Sequence, residues 1–141
     1  MRRVLEGGDE IDDDPERIDR NVVCAHLATE YWSSHRTREE QERLLDVSAR
    51  VIGAYAPGGE LVGFCRIVSD GGAVAWLGDV FVLPAHRGRG LGEAMVREAV
   101  EHPAYRELAW YLGTRDAHEL YRRFGFTTDH PRTMSRPRRD I

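Results

Sequence analysis

Apolar and polar positions follow two rhythms along this chain of 141 residues. The first third carries a helical spacing. Ile18, Val22, Ala25 and Thr29 fall on one face, with Asp14 placed as an N-cap and Pro15 at the first helical position, which predicts a helix to about Thr29. The acids from Asp9 to Glu16 read as a solvated helix start that suits the macrodipole. Thr37 and Glu40 have capping-box spacing and predict a second helix to about Ala49, with Leu44, Leu45 and Val47 as its apolar residues. Residues Tyr31 to His35 read as the loop between the two. Arg2 to Glu6 allows a short strand.

The middle of the chain changes to strand-like runs. Arg50 to Ala56, Glu60 to Ser69 and Ala73 to Leu83 are separated by Pro57-Gly58-Gly59 and Asp70-Gly71-Gly72, connections short enough to make antiparallel neighbours. Pro84 closes the third strand. A helix follows from about Gly90 to Glu101, with Leu91, Met95 and Ala99 as its stripe and Val96 beside it. Leu108 to Leu112 reads as a strand and Asp116 to Phe124 as a short helix closed by Gly125. Phe126 to Met134 reads as a closing strand or hairpin. Helices, an antiparallel meander and then alternating strands and helices predict a mixed α/β layer fold in one domain, residues 1–141.

Composition narrows the function classes. The length suits one core without disulfides or metals. The net charge of -4 argues against a nucleic-acid partner. No apolar run approaches the ~20 residues of a membrane span, and the first residues lack the apolar core of a signal peptide. All 20 basic residues are arginine. Cys24 and Cys65 lie among apolar neighbours without metal or redox spacing, so they read as buried free thiols of a cytoplasmic protein.

Two segments carry candidate chemistry. In the first, the strand ending Asp79-Val80-Phe81-Val82-Leu83 runs into Pro84-Ala85-His86-Arg87-Gly88-Arg89-Gly90-Leu91-Gly92 and a helix begins at once. Glycines that let backbone approach closely, followed by the unpaired N–H groups of a first helical turn, make an anion cradle. A Walker A loop would need Gly-Lys-Ser/Thr, and a dinucleotide fingerprint would need GxGxxG; neither is present. An incidental glycine turn is the plainer alternative. In the second, Thr114-Arg115-Asp116-Ala117-His118-Glu119-Leu120-Tyr121 leads into Arg122-Arg123-Phe124-Gly125-Phe126.

Together these segments resemble the GNAT superfamily of N-acetyltransferases. Arg87, Gly90 and Gly92 match its pyrophosphate motif, and Ala117, Tyr121, Gly125 and Phe126 match its later segment at the right spacing. The resemblance spans roughly Val51 to Phe126. It implies acetyl-CoA as co-substrate and no metal. The cofactor would lie between two splayed parallel strands, Val80 to Leu83 and Leu108 to Leu112. Backbone of Phe81 and Val82 would hold the pantetheine, and the cradle of Arg87, Gly88, Arg89, Gly90, Leu91 and Gly92 would hold the pyrophosphate. Thr114 stands where the family commonly has the asparagine that bonds the pantetheine arm. Tyr121 is the implied acid for the leaving sulfur.

A general base is not evident. Asp79 is the candidate, with a bond to backbone or arginine as its structural alternative. Strict alternation puts Trp76 and Asp79 on opposite faces unless a bulge intervenes. On the family's pattern the acceptor meets the loop from Tyr31 through Trp32, Ser33 and Ser34 to His35, with Trp76. The expected reaction is acetyl transfer to a primary amine, small or peptidic, by direct attack on the thioester. A non-catalytic acyl-CoA-binding or sensor module and an ATP-binding regulatory domain are the rival classes. Relatives often pair, so a homodimer is also an expectation.

Overall fold

A computed structural model describes residues 1–128 and 131–138. Six strands form one sheet in the order β1-β2-β3-β4-β5-β6: Arg2–Val4, Glu10–Asp12, Arg50–Tyr55, Leu61–Ser69, Val74–Val82 and Ala109–Tyr111. Every neighbouring pair is antiparallel except β5 and β6, which run parallel. The helices are α1 (Arg20–Leu27), α2 (Arg38–Val47), α3 (Leu91–Val100) and α4 (His118–Arg122). The mixed α/β layer architecture and the antiparallel meander are as the sequence predicts.

Alternation along the central strands divides the core in two. Ile52, Cys65 and Ile67 face α3, where Leu91, Met95, Val96 and Ala99 are almost fully buried. Val51 and Phe64 face α1, packing with Val23 and Leu27. Burying a side chain of this size contributes about 1.5–3 kcal/mol, so the two layers hold the sheet from both sides. Cys24 and Cys65 are buried free thiols, and burial pushes the Cys65 thiol up to about 12.

The N-terminal third departs from its reading. Asp14 caps only a single 3₁₀ turn, Pro15–Arg17. The chain then extends at Ile18, and Asp19 acts as a second cap, accepting from the Val22 N–H at 3.2 Å. The shorter α1 therefore buries Val23, Cys24 and Leu27 rather than the Ala25 and Thr29 stripe. The acid run is no solvated helix start. Glu10–Asp12 is a strand, with Ile11 fully buried, and arginines from elsewhere answer its charges. Arg17 meets Glu10 and Asp12, Arg50 meets Asp13, and Arg89 meets Asp9.

The capping box of Thr37 and Glu40 is present. Its helix, however, stops at Val47, which is exposed, and Gln41 is its buried residue. In the predicted closing segment, residues 126–128 and 131–134 contain no strand. Residues 129 and 130 lie outside the described residues.

Candidate active site

The site begins with a break in the sheet. Arg66 pairs with Gly78 and Phe64 with Phe81, so Asp79 and Val80 together face Cys65. This two-against-one bulge reverses the sense of alternation. Ala75 and Leu77 pack on the α3 side before it, and Phe81 packs on the α1 side after it. Asp79 takes the strain, with φ at 54°, a conformation that Asp tolerates better than most residues. The bulge thus sends its carboxylate toward α1 and α2, not to the face strict alternation assigns.

The β5–β6 ladder ends at Trp76 and Tyr111. Among the described residues, Gly78–Val82 therefore has no strand partner on its β6 side. This is the expected wedge between splayed parallel strands. A cavity of about 1100 Å³ opens there, and the glycine loop and Tyr121 also line it.

At the loop, Gly88 and Gly90 both have positive φ, 81° and 77°. The first bond of α3 is donated by Ala94 to the Gly90 carbonyl at 3.0 Å. The N–H groups of Leu91, Gly92 and Glu93 precede that bond, and Gly90, Leu91 and Gly92 border the cavity, the arrangement from which a helix start can bind an anion. A side chain at Gly88 or Gly90 would meet no atom within 4 Å, so the loop leaves room for a phosphate group. The residues fit a CoA pyrophosphate.

Three expected cofactor contacts have other engagements. Arg89 turns its guanidinium to Asp9 at 2.8 Å and is not part of the cavity wall. Arg87 lines the cavity but folds back, donating Nε–H to the Val82 carbonyl at 3.0 Å. Thr114 accepts the Ala117 N–H at 3.1 Å, just ahead of α4. Its hydroxyl proton can still be donated.

Tyr121 is buried on α4, and its ring meets Phe126 edge-on. Burial, reinforced by Cys65, Tyr31 and Asp116, pushes its phenol up to about 12. The hydroxyl therefore keeps its proton throughout the neutral range. Gly125, at φ 85°, closes the turn as expected.

Asp79 is the most heavily engaged acid of the site. Its carboxylate accepts from Arg66 Nε at 2.7 Å, from Arg36 Nη1 at 2.9 Å and from Trp32 Nε1 at 2.9 Å. Burial alone would raise this carboxyl. The Arg36 hydrogen bond and the charge and hydrogen bond of Arg66 outweigh it and hold the group below its ordinary value.

The aromatic loop is split. Tyr31, Trp32 and Trp76 line the cavity. The Tyr31 hydroxyl accepts the Arg115 N–H at 3.1 Å, and the Arg115 guanidinium sits 3.8 Å over its ring. Ser33 is instead buried, donating to the Leu27 carbonyl at 2.6 Å. Ser34 and His35 are exposed and outside the cavity wall.

Sequence reasoning missed Arg36, Arg66 and Glu30. One signal was available: Arg66 is a charge within the apolar run from Leu61 to Val68, and a buried charge needs a partner. On the expectation that this loop meets an acceptor, Trp32→Phe should raise the acceptor KM several-fold with little effect on the acetyl-CoA KM. It should also cost about 1–3 kcal/mol of folding stability, because a donor to a buried charge is lost. Steady-state kinetics and denaturant titration check both parts.

The family model described as an acetyltransferase (GNAT) domain matches residues 48–128. This chain belongs to the GNAT acetyltransferase family. Among solved structures, it is similar to a protein of that family from Xanthomonas campestris pv. campestris. Identity is 33%, the match covers 96% of this chain and 95% of that one, and the TM-score is 0.84. Glucosamine-6-phosphate N-acetyltransferase from Arabidopsis thaliana shares the fold at 13% identity and a TM-score of 0.64, covering 91% of this chain and 97% of that one. The mycothiol acetyltransferase of Nocardia farcinica (strain IFM 10152) is 37% identical over 76 residues. That match covers 45% of this chain and only 25% of the relative's length.

Proposed function

We propose that this protein moves the acetyl group of acetyl-CoA to a primary amine by direct attack of the amine on the thioester. The observation that carries the reading is a single cavity lined by the unpaired β5 edge, the opening turn of α3 and Tyr121. Family membership supports the same chemistry.

Each part has a defined task. The N–H groups at the start of α3 bind the pyrophosphate, and the exposed backbone edge of Gly78–Val82 receives the pantetheine. An N–H on that edge polarises the thioester carbonyl as charge builds on its oxygen. The neutral amine nitrogen bonds to the carbonyl carbon, the carbon–sulfur bond breaks with its electron pair on sulfur, Tyr121 hydrogen-bonds the departing thiolate, and the nitrogen's surplus proton passes to water.

Asp79 fits a positioning role better than that of a base. A carboxylate holding three donors, with its pKa lowered, has little affinity for another proton. It fixes the bulge and holds Trp32 and Arg36 at the cavity wall.

The cradle gives a separate test. Gly90→Asp places a carboxylate at the anion site, while Gly90→Asn has nearly the same shape without charge and tolerates the left-handed backbone. Calorimetry should show CoA affinity falling at least roughly tenfold more in Gly90→Asp than in Gly90→Asn. Equal affinities in two folded variants would remove the loop from the cofactor site. For the transfer itself, acetyl-CoA is offered with a diverse amine panel and thiol release is followed. Tight CoA binding without turnover on any amine would favour a sensor module instead.

A further inference from the structure

Two guanidinium groups share one carboxylate in the cavity wall. Arg36 and Arg66 both donate to the same Asp79 oxygen, at 2.9 and 2.7 Å. The three side chains are 15%, 10% and 3% exposed. Among the described residues, the other partner of the Arg36 guanidinium is Gln41 Oε1 at 3.3 Å, which is neutral. The cluster therefore holds two cations and one anion, and one positive charge is left over where water is scarce. Such a charge is costly unless an anion or further hydrogen bonds answer it.

The same cavity has an opposite feature. Glu30 lines it, and its carboxylate is held by His26 Nε2 at 3.0 Å. The His26 ring stacks on Phe81 at 4.2 Å, so this acid is anchored to the segment of β5 that borders the wedge. Trp76 lends the cavity an exposed indole face.

We infer that the acceptor is an amine carrying its own carboxylate, an amino acid or a compound built like one. The inference rests on the amine acetyltransferase reading above and adds the acceptor's class. The acceptor carboxylate completes the Arg36–Asp79–Arg66 cluster, and the amine end meets Glu30. A carboxylate suits the cluster better than a phosphate, because one negative charge balances the surplus and a dianion exceeds it.

The test uses matched amines with acetyl-CoA and the full chain: phenylalanine against phenethylamine and phenylalaninamide, lysine against cadaverine, and phosphoethanolamine as the phosphate arm. Thiol release gives kcat/KM for each. The expected result is a preference of at least roughly tenfold for the carboxylated member of a pair. Arg36→Gln should collapse that ratio, and a ratio within one variant cancels any general loss of activity. If Arg36→Gln does not fold, the wild-type ratios decide alone. Equal or greater rates with the decarboxylated or amidated amines would overturn the inference and leave the transferase reading standing, as would a preference for phosphoethanolamine. Binding of acetyl-CoA with no transfer to any amine would instead overturn the transferase reading, and the inference with it.

Discussion

Tyr121→Phe should lower kcat by about 10²–10³-fold, the typical cost of removing one positioned donor from a developing anion, while acetyl-CoA affinity hardly changes. The ring stays, so its packing against Phe126 and the α3 face of the core is kept. Only the hydroxyl is lost, and its interaction strengthens as the sulfur gains charge, so the loss falls on kcat rather than on binding. The phenol's pKa of about 12 lies above that of an ordinary thiol at about 8.5. Full proton transfer to the sulfur is therefore uphill, and Tyr121 serves chiefly as a donor while the bond breaks. Its kcat should accordingly show no basic limb from this group below about pH 10. Single-turnover measurements check that chemistry is being read. A wild-type rate in a folded Tyr121→Phe protein would make Tyr121 a packing residue.

Asp79→Asn should cost about 3–5 kcal/mol of stability, because it leaves the buried guanidinium of Arg66 and the partly buried one of Arg36 without their carboxylate. Asn tolerates the left-handed backbone, so the φ of 54° adds little to the loss. The pH dependence follows from the direction of the shift. The native carboxyl lies below its ordinary value, so the unfolded chain takes up the proton first as the solution is acidified. The stabilisation is present above the unfolded pKa, about 3.9, and is lost as pH falls through the native one. Asp79→Asn should flatten this acid dependence. It should not abolish it, since the Asp13 carboxyl is also lowered. Denaturant titrations across the acid range measure both effects. Because the attacking amine must be neutral, kcat/KM should fall on the acid side, and this acidic limb should remain in Asp79→Asn. Its disappearance would restore Asp79 as the base.

The parts of the site that are legible in the sequence are those whose backbone allows few residues. Gly88 and Gly90 must adopt positive φ, and the Ala117, Tyr121, Gly125 and Phe126 frame follows from one short helix and its left-handed close. The meander is legible because glycine-rich turns punctuate it. What escapes depends on partners far along the chain. Asp and Glu are poor strand formers, so nothing local marks Glu10–Asp12 as a strand. Its pairing with β3 and its arginine partners exist only in three dimensions. The bulge at Asp79 is a property of two strands, set where β4 and β5 slip register, and one strand's alternation cannot reveal it. The Asp79 carboxylate consequently lies on a face that sequence alternation assigns wrongly, beside arginines that local patterning does not connect to it.

Acetyl transfer is measured most directly by pairing thiol release from acetyl-CoA with mass analysis of the amine in the same reaction. Each thiol released should be matched by one acetylated amine, and both should depend on the amine supplied. Thiol release that proceeds equally without any amine, or acetyl-CoA binding with no release at all, would contradict acetyl transfer.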